Sequence, residues 1–180
     1  MKRFALMVLV VLALAAPAFG QGVGDLSIYA DDQGNICDIT ANGGGTFMQP
    51  FVIQKFGTSE GSTGCRFKIT VPVGMSIVGF NTTFVPVGNV GSDLSLAYGV
   101  CLTTTTVLGN LQALSISASP ACSYISVLAA DNFTTPIATD CSFGEYIMGA
   151  GQAIVNNDGS CPCNIATSPS TWGKVKSLYR

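Results

Sequence analysis

Between Cys65 and Pro86 the side chains change character at nearly every second residue, and this period constrains the fold more than any other feature of the chain. In Cys65-Arg66-Phe67-Lys68-Ile69-Thr70-Val71 apolar and polar groups alternate, the period of a strand with one face in a core and the other in water. After the turn Pro72-Val73-Gly74 a second run sets Ile77, Gly79 and Thr83 against Val78, Phe80, Thr82 and Phe84. The two runs read as a β-hairpin or as a corner where the chain passes between sheets.

Further strands are expected at Leu26 to Ala30, Phe51 to Phe56, Leu94 to Tyr98, Thr105 to Ser117, Cys122 to Ala129, Pro136 to Cys141 and Gln152 to Val155. Gly, Pro, Asn and Asp clusters divide them: Asp31 to Asn35, Asn42 to Gly45, Gly57 to Ser62, Pro86 to Gly91, Asp131 to Phe133 and Asn156 to Gly159. About nine short strands with no internal helix describe an all-β fold, a single antiparallel β-sandwich of immunoglobulin-like or jelly-roll-like kind.

The first residues read as an export signal: Lys2 and Arg3, an apolar run from Phe4 to Ala16, and small residues at Ala18 and Gly20. The run is shorter than the ~20 residues that span a bilayer, so no membrane span is expected in the mature chain. The expected organisation is a signal peptide over 1–20, a β-sandwich domain over 21–167 and a tail or short helix over 168–180. In that last segment Ser168 to Thr171 can cap a helix on which Trp172, Val175 and Tyr179 recur at helical spacing, with Lys174, Lys176 and Arg180 elsewhere. It is either docked on the sandwich or an exposed tag whose recognition residues are Trp172, Lys174, Lys176, Tyr179 and Arg180.

Export changes the meaning of the seven cysteines, Cys37, Cys65, Cys101, Cys122, Cys141, Cys161 and Cys163. Outside the cytoplasm they are disulfide candidates. Cys161-Pro162-Cys163 is spaced too closely for a usual zinc half-site, and the chain has no His, so no metal is expected. Chain proximity favours Cys101 with Cys122 and Cys141 with Cys161 or Cys163, and more weakly Cys37 with Cys65; an odd total leaves one thiol over.

Several stretches together resemble a group of uncharacterised secreted bacterial β-rich proteins: Ile28-Tyr29-Ala30-Asp31 with Gly34 and Cys37, Leu96-Ala97-Tyr98-Gly99 with Cys101, Asp140-Cys141, Ser160-Cys161-Pro162-Cys163-Asn164, and the ending from Thr171-Trp172-Gly173-Lys174 to Leu178-Tyr179-Arg180. The resemblance implies a small extracellular β domain and carries no activity or cofactor. Cys65 belongs least to that pattern, which makes it the candidate for the odd thiol.

Charge and motif content narrow the function classes. Charged residues are 10% of the chain, against about 25% in ordinary soluble proteins. Without Lys2 and Arg3 six basic residues face ten acidic ones, which argues against nucleic acid as a partner. Gly57-Thr58-Ser59-Glu60-Gly61 matches a nucleophile elbow in letters only, because the His base is missing. Adjacent Asp31 and Asp32 have the wrong spacing for a calcium loop. Glu60, Asp93, Asp131, Asp140 and Glu145 are available as a carboxylate pair, yet nothing in their spacing joins two of them. The expectation is a secreted or cell-surface, non-catalytic module without cofactor that binds itself or cell-envelope components. The alternative is a carbohydrate-binding module stacking polysaccharide on Tyr29, Tyr98, Tyr124, Tyr146 or Trp172.

Overall fold

A computed structural model describes residues 24–56 and 61–162. They form β1 (Asp25–Tyr29), β2 (Asp38–Ile39), β3 (Thr46–Met48), β4 (Phe51–Lys55), β5 (Ser62–Thr70), β6 (Met75–Asn81), β7 (Val85–Asn89), β8 (Asp93–Leu102), β9 (Thr106–Ser115), β10 (Ser123–Leu128), β11 (Ile137–Asp140), β12 (Glu145–Ile147), β13 (Gly149–Ala150) and β14 (Gln152–Val155). No helix occurs among the described residues, and so none there is long and apolar enough to cross a membrane. The signal and tail expectations lie outside the described residues.

Two sheets make a β-sandwich. In the first, β13, β1, β4 and β9 lie side by side, and β9 also carries β3 and β6. Strands β3 and β4 run end to end along one side of β9, with Met48 opposite Ala113 and Phe51 opposite Asn110. They are one strand interrupted at Gln49-Pro50, because proline cannot donate to a ladder. In the second sheet β7, β8 and β5 are neighbours. The far side of β5 is shared by β11, then β12, and by β10, then β14 and β2. Pairing is antiparallel except for β1 with β13 and β14 with β2. Those two exceptions belong to one stretch of chain that changes sheets at Gly151, where a Cβ would collide with Ser27 Oγ.

The alternation at Cys65 to Val71 becomes β5, and Phe67 and Ile69 lie in the core. The following run becomes β6 in the opposite sheet, so the turn between them is the inter-sheet corner rather than a hairpin. At its apex Gly74 has φ +89°, its carbonyl accepts the Ile116 N–H at 2.8 Å, and Met75 N–H reaches Pro72 O. Between the sheets Leu26, Ile28 and Val52 meet Phe67, Ile69, Leu96, Ile125 and Val127. Phe67 packs edge-on against Phe80 with ring centroids 6.4 Å apart, which ties β5 to β6 across the interior. Truncating such a side chain to alanine costs about 2–5 kcal/mol.

One polar bridge crosses this core. The Tyr98 hydroxyl donates to Gln54 Oε1 at 2.5 Å, linking β8 to β4 in the other sheet. Cys65 lies beside Tyr98, and burial pushes its thiol up to about 12.

Several expectations need correcting. The fold has fourteen short strands among the described residues where about nine were expected, since β2, β3, β12 and β13 are two- or three-residue pieces held by neighbours. Pro86 to Gly91, read as a turn, is mostly β7, and all five residues of that strand are exposed. An edge strand bonded on one side tolerates Pro86. The disulfides join Cys101 to Cys141 and Cys122 to Cys161, so the pairs Cys101–Cys122, Cys141–Cys161 and Cys141–Cys163 are wrong. Chain proximity misled because Leu102 and Asp140 both pair with Ser62, which brings the ends of β8 and β11 to the same point on β5. Cys65 is a buried free thiol and Cys37 is disulfide-bonded, which removes the Cys37–Cys65 pair.

Candidate functional site

The outer face of the second sheet carries two rows of side chains that follow from strand register alone. One row is Val87, Ser95, Arg66, Ile137 and Ile147; the next is Val85, Ala97, Gly64, Thr139 and Glu145. Their chain neighbours Leu94, Leu96, Phe67 and Ala138 are in the core, so both rows face outward. Ser95, Ala97 and Gly64 are small beside the larger residues around them, Arg66 and Ile137 included, and leave a trough of about 720 Å³. Its floor is Ser95, Ala97, Gly64 and Gly99, and its walls include Val87 and Val100 on one side and Ile137, Phe143 and Glu145 on the other. The floor is fixed by the backbone: a Cβ at Gly64 would stand 2.7 Å from Leu96 O.

Phe143 is the residue that distinguishes this surface. It is 81% exposed and has φ +66°, a conformation that costs a bulky side chain on the order of 1–3 kcal/mol. The turn that enforces it is over-determined. Asp140 Oδ1 accepts the N–H groups of Ser142 at 2.9 Å and Gly144 at 2.6 Å. Phe143 N–H donates to Asp140 O at 3.1 Å, and the Cys101–Cys141 disulfide ties the turn to β8. A strained aromatic ring held in water in the same trough as exposed Val87 and Val100 is the pattern of a contact surface.

Charge near the trough is mostly spoken for. Arg66 makes a two-pronged pair with Asp93, with Nε 2.7 Å from Oδ1, and its guanidinium lies 4.5 Å from the Phe133 ring centroid. That partner holds the Asp93 carboxyl below the usual carboxylate range. Lys68 pairs with Asp131 at 2.9 Å. Glu145, in the trough wall, forms no ion pair among the described residues.

The other sequence candidates fall elsewhere. Asp31 accepts N–H groups of Ile36 and Asn35 at 2.7 and 2.9 Å, which lowers its pKa and closes the loop as a turn. Of the five proposed carboxylates Asp93 and Asp131 are ion-paired and Asp140 caps a turn, while Glu60 lies outside the described residues. Cys122, Asp158 and Cys161 bring potential metal ligands together, but the two sulfurs are bonded to each other. Among the rings offered for stacking on sugar, Tyr29 and Tyr98 are buried, Tyr124 and Tyr146 are partly exposed on β10 and β12, and Trp172 is outside the described residues. Cys163, Lys174, Lys176, Tyr179 and Arg180 are also outside them. Sequence reasoning missed the trough, because Gly64, Ala97 and Ser95 become its floor only once three strands are paired; the only signal was Phe143 between Ser142 and Gly144 in a turn.

No protein-family model and no curated protein matches the chain. Among solved structures it is similar to the cohesin module of a family 33 glycoside hydrolase from Clostridium perfringens, at 9% identity, TM-score 0.53, covering 76% of this chain and 99% of that one. It is also similar to the third ScaB cohesin of R. flavefaciens, solved in complex with a group 1 dockerin, at 12% identity, TM-score 0.51, covering 74% of this chain and 96% of that one. At these identities the likeness is one of fold: the sandwich is built as cohesin modules are built.

Proposed function

We propose that this chain is a non-catalytic, extracellular interaction module, secreted or held at the cell surface, whose trough docks an apolar segment of a protein partner. The observation that carries this reading is Phe143, held in a left-handed conformation and in water by a cap and a disulfide. A fold spends conformational energy of that kind where a ring must be presented, and exposed apolar groups around a small-residue floor provide area for a partner to bury. The likeness to a cohesin solved in complex with a dockerin supports a protein partner, and engaged carboxylates support binding over turnover. The disulfides support the compartment, in keeping with the export signal expected from the sequence over 1–20.

Panning a random-peptide display library on the intact protein tests the reading. Clones rich in aromatic and aliphatic residues are expected, with binding lost on Ala97→Arg, which fills the floor from an exposed position, and on Phe143→Ser. Enriched clones that bind both variants as well as the parent would rule the trough out.

A further inference from the structure

The body and the end of this chain are complementary in charge and in apolar content. The described residues hold three basic side chains, Lys55, Arg66 and Lys68, against nine acidic ones, a net of −6. All three cations are engaged: Arg66 with Asp93, Lys68 with Asp131, and Lys55 with Gly34 O and the Tyr29 ring. Residues 163–180 hold three cations, Lys174, Lys176 and Arg180, and no acid. Beside them are Trp172, Val175, Leu178 and Tyr179, the residue types that an apolar trough buries.

Resting on the reading of the trough as a docking surface, we propose that its occupant is the segment Trp172 to Arg180 of a second copy of this chain. The aromatic and aliphatic groups cover Phe143, Val100 and Val87, and a basic side chain reaches Glu145, which forms no ion pair among the described residues. Reach favours the second copy. Cys161 is bonded to Cys122, which precedes β10, and in the β10–β5 register Ser126 lies opposite Thr70. From that end of the sheet to Gly64 is ten strand positions, about 33 Å at ~3.3 Å per residue. Eleven residue steps separate Cys161 from Trp172, spanning at most about 40 Å. A tail returning to its own trough would have to run extended over most of that length, whereas a neighbouring copy sets no such limit. The contact joins two different surfaces, so repetition gives a ring or an open chain.

Trp172 is the only tryptophan in the sequence and reports the docking directly. Light scattering and tryptophan emission are followed on the full, oxidised chain as concentration rises. The expected result is association accompanied by a blue shift of the emission. Ala97→Arg and Glu145→Lys should each weaken association, the former at least ~10-fold, and the same loss should follow reversal of Lys174, Lys176 and Arg180 to Glu. Circular dichroism unchanged in Ala97→Arg keeps the comparison valid, since that position is exposed. A monomer with solvent-like emission, a monomer whose emission is blue-shifted (a tail in its own trough), or association indifferent to Ala97→Arg would each overturn the proposal. If display peptides still bind the trough in an Ala97-dependent way while the tail does not, this inference fails and the docking function stands.

Discussion

Replacing Cys101 and Cys141 together by serine separates the two jobs of their disulfide. The bond closes a loop of 40 residues, and the chain-entropy relation assigns about 4 kcal/mol to a loop of that size. The Cys122–Cys161 loop overlaps it, so part of that restriction survives in the unfolded chain. The expected loss is therefore about 2–4 kcal/mol, a fall in Tm of roughly 10 °C for a domain of this size. Little packing is lost with the sulfurs, because Cys101 is exposed and Cys141 only half-buried. Urea and thermal unfolding followed by circular dichroism without reductant measure this loss. The second job is positional: the bond holds the Asp140 turn that presents Phe143, so peptide binding at the trough should weaken even at temperatures where the variant is folded. A loss below about 1 kcal/mol would refute the entropic reasoning, and unchanged peptide binding would refute the positional one.

Three other outcomes follow from the same contacts. Burial raises the Cys65 thiol to about 12, so thiol reagents at pH 8 should leave Cys65 unlabelled in the native protein and label it after unfolding without reductant, as peptide mapping reads; rapid native labelling of Cys65 would contradict the core position. The folded pKa values of Asp31 and Asp93 lie below their ordinary value, held there by backbone N–H groups and by Arg66. Each therefore contributes stability that is fully present above the unfolded value near ~4 and is lost as pH falls through the folded value. Unfolding midpoints measured from pH 6 to 2 should drop, and Asp31→Asn or Asp93→Asn should flatten that drop. Gly88→Ala should destabilise by at least ~1 kcal/mol, because φ is +97° and the new Cβ would collide with Asp93 O in the β7–β8 turn; denaturant titration with no change would contradict that register.

What the sequence determined by itself is the all-β class and the strands with strong alternation. Phe67 and Ile69 in β5, Leu94 and Leu96 in β8, and Ile125 and Val127 in β10 lie in the core, because a period of two selects one face wherever it occurs. Tertiary structure decided the rest. Val85 to Asn89 carries Pro, Gly and Asn and reads locally as a turn, yet pairing with β8 makes it a strand. The turn before Met75 could have closed a hairpin, and only the Phe67–Phe80 contact and the pairing of β6 with β9 show it joining two sheets. Cysteine partners and the trough share one cause. Both depend on which strands flank β5, a long-range choice made by burying the whole core at once, and no local pattern of residues records it.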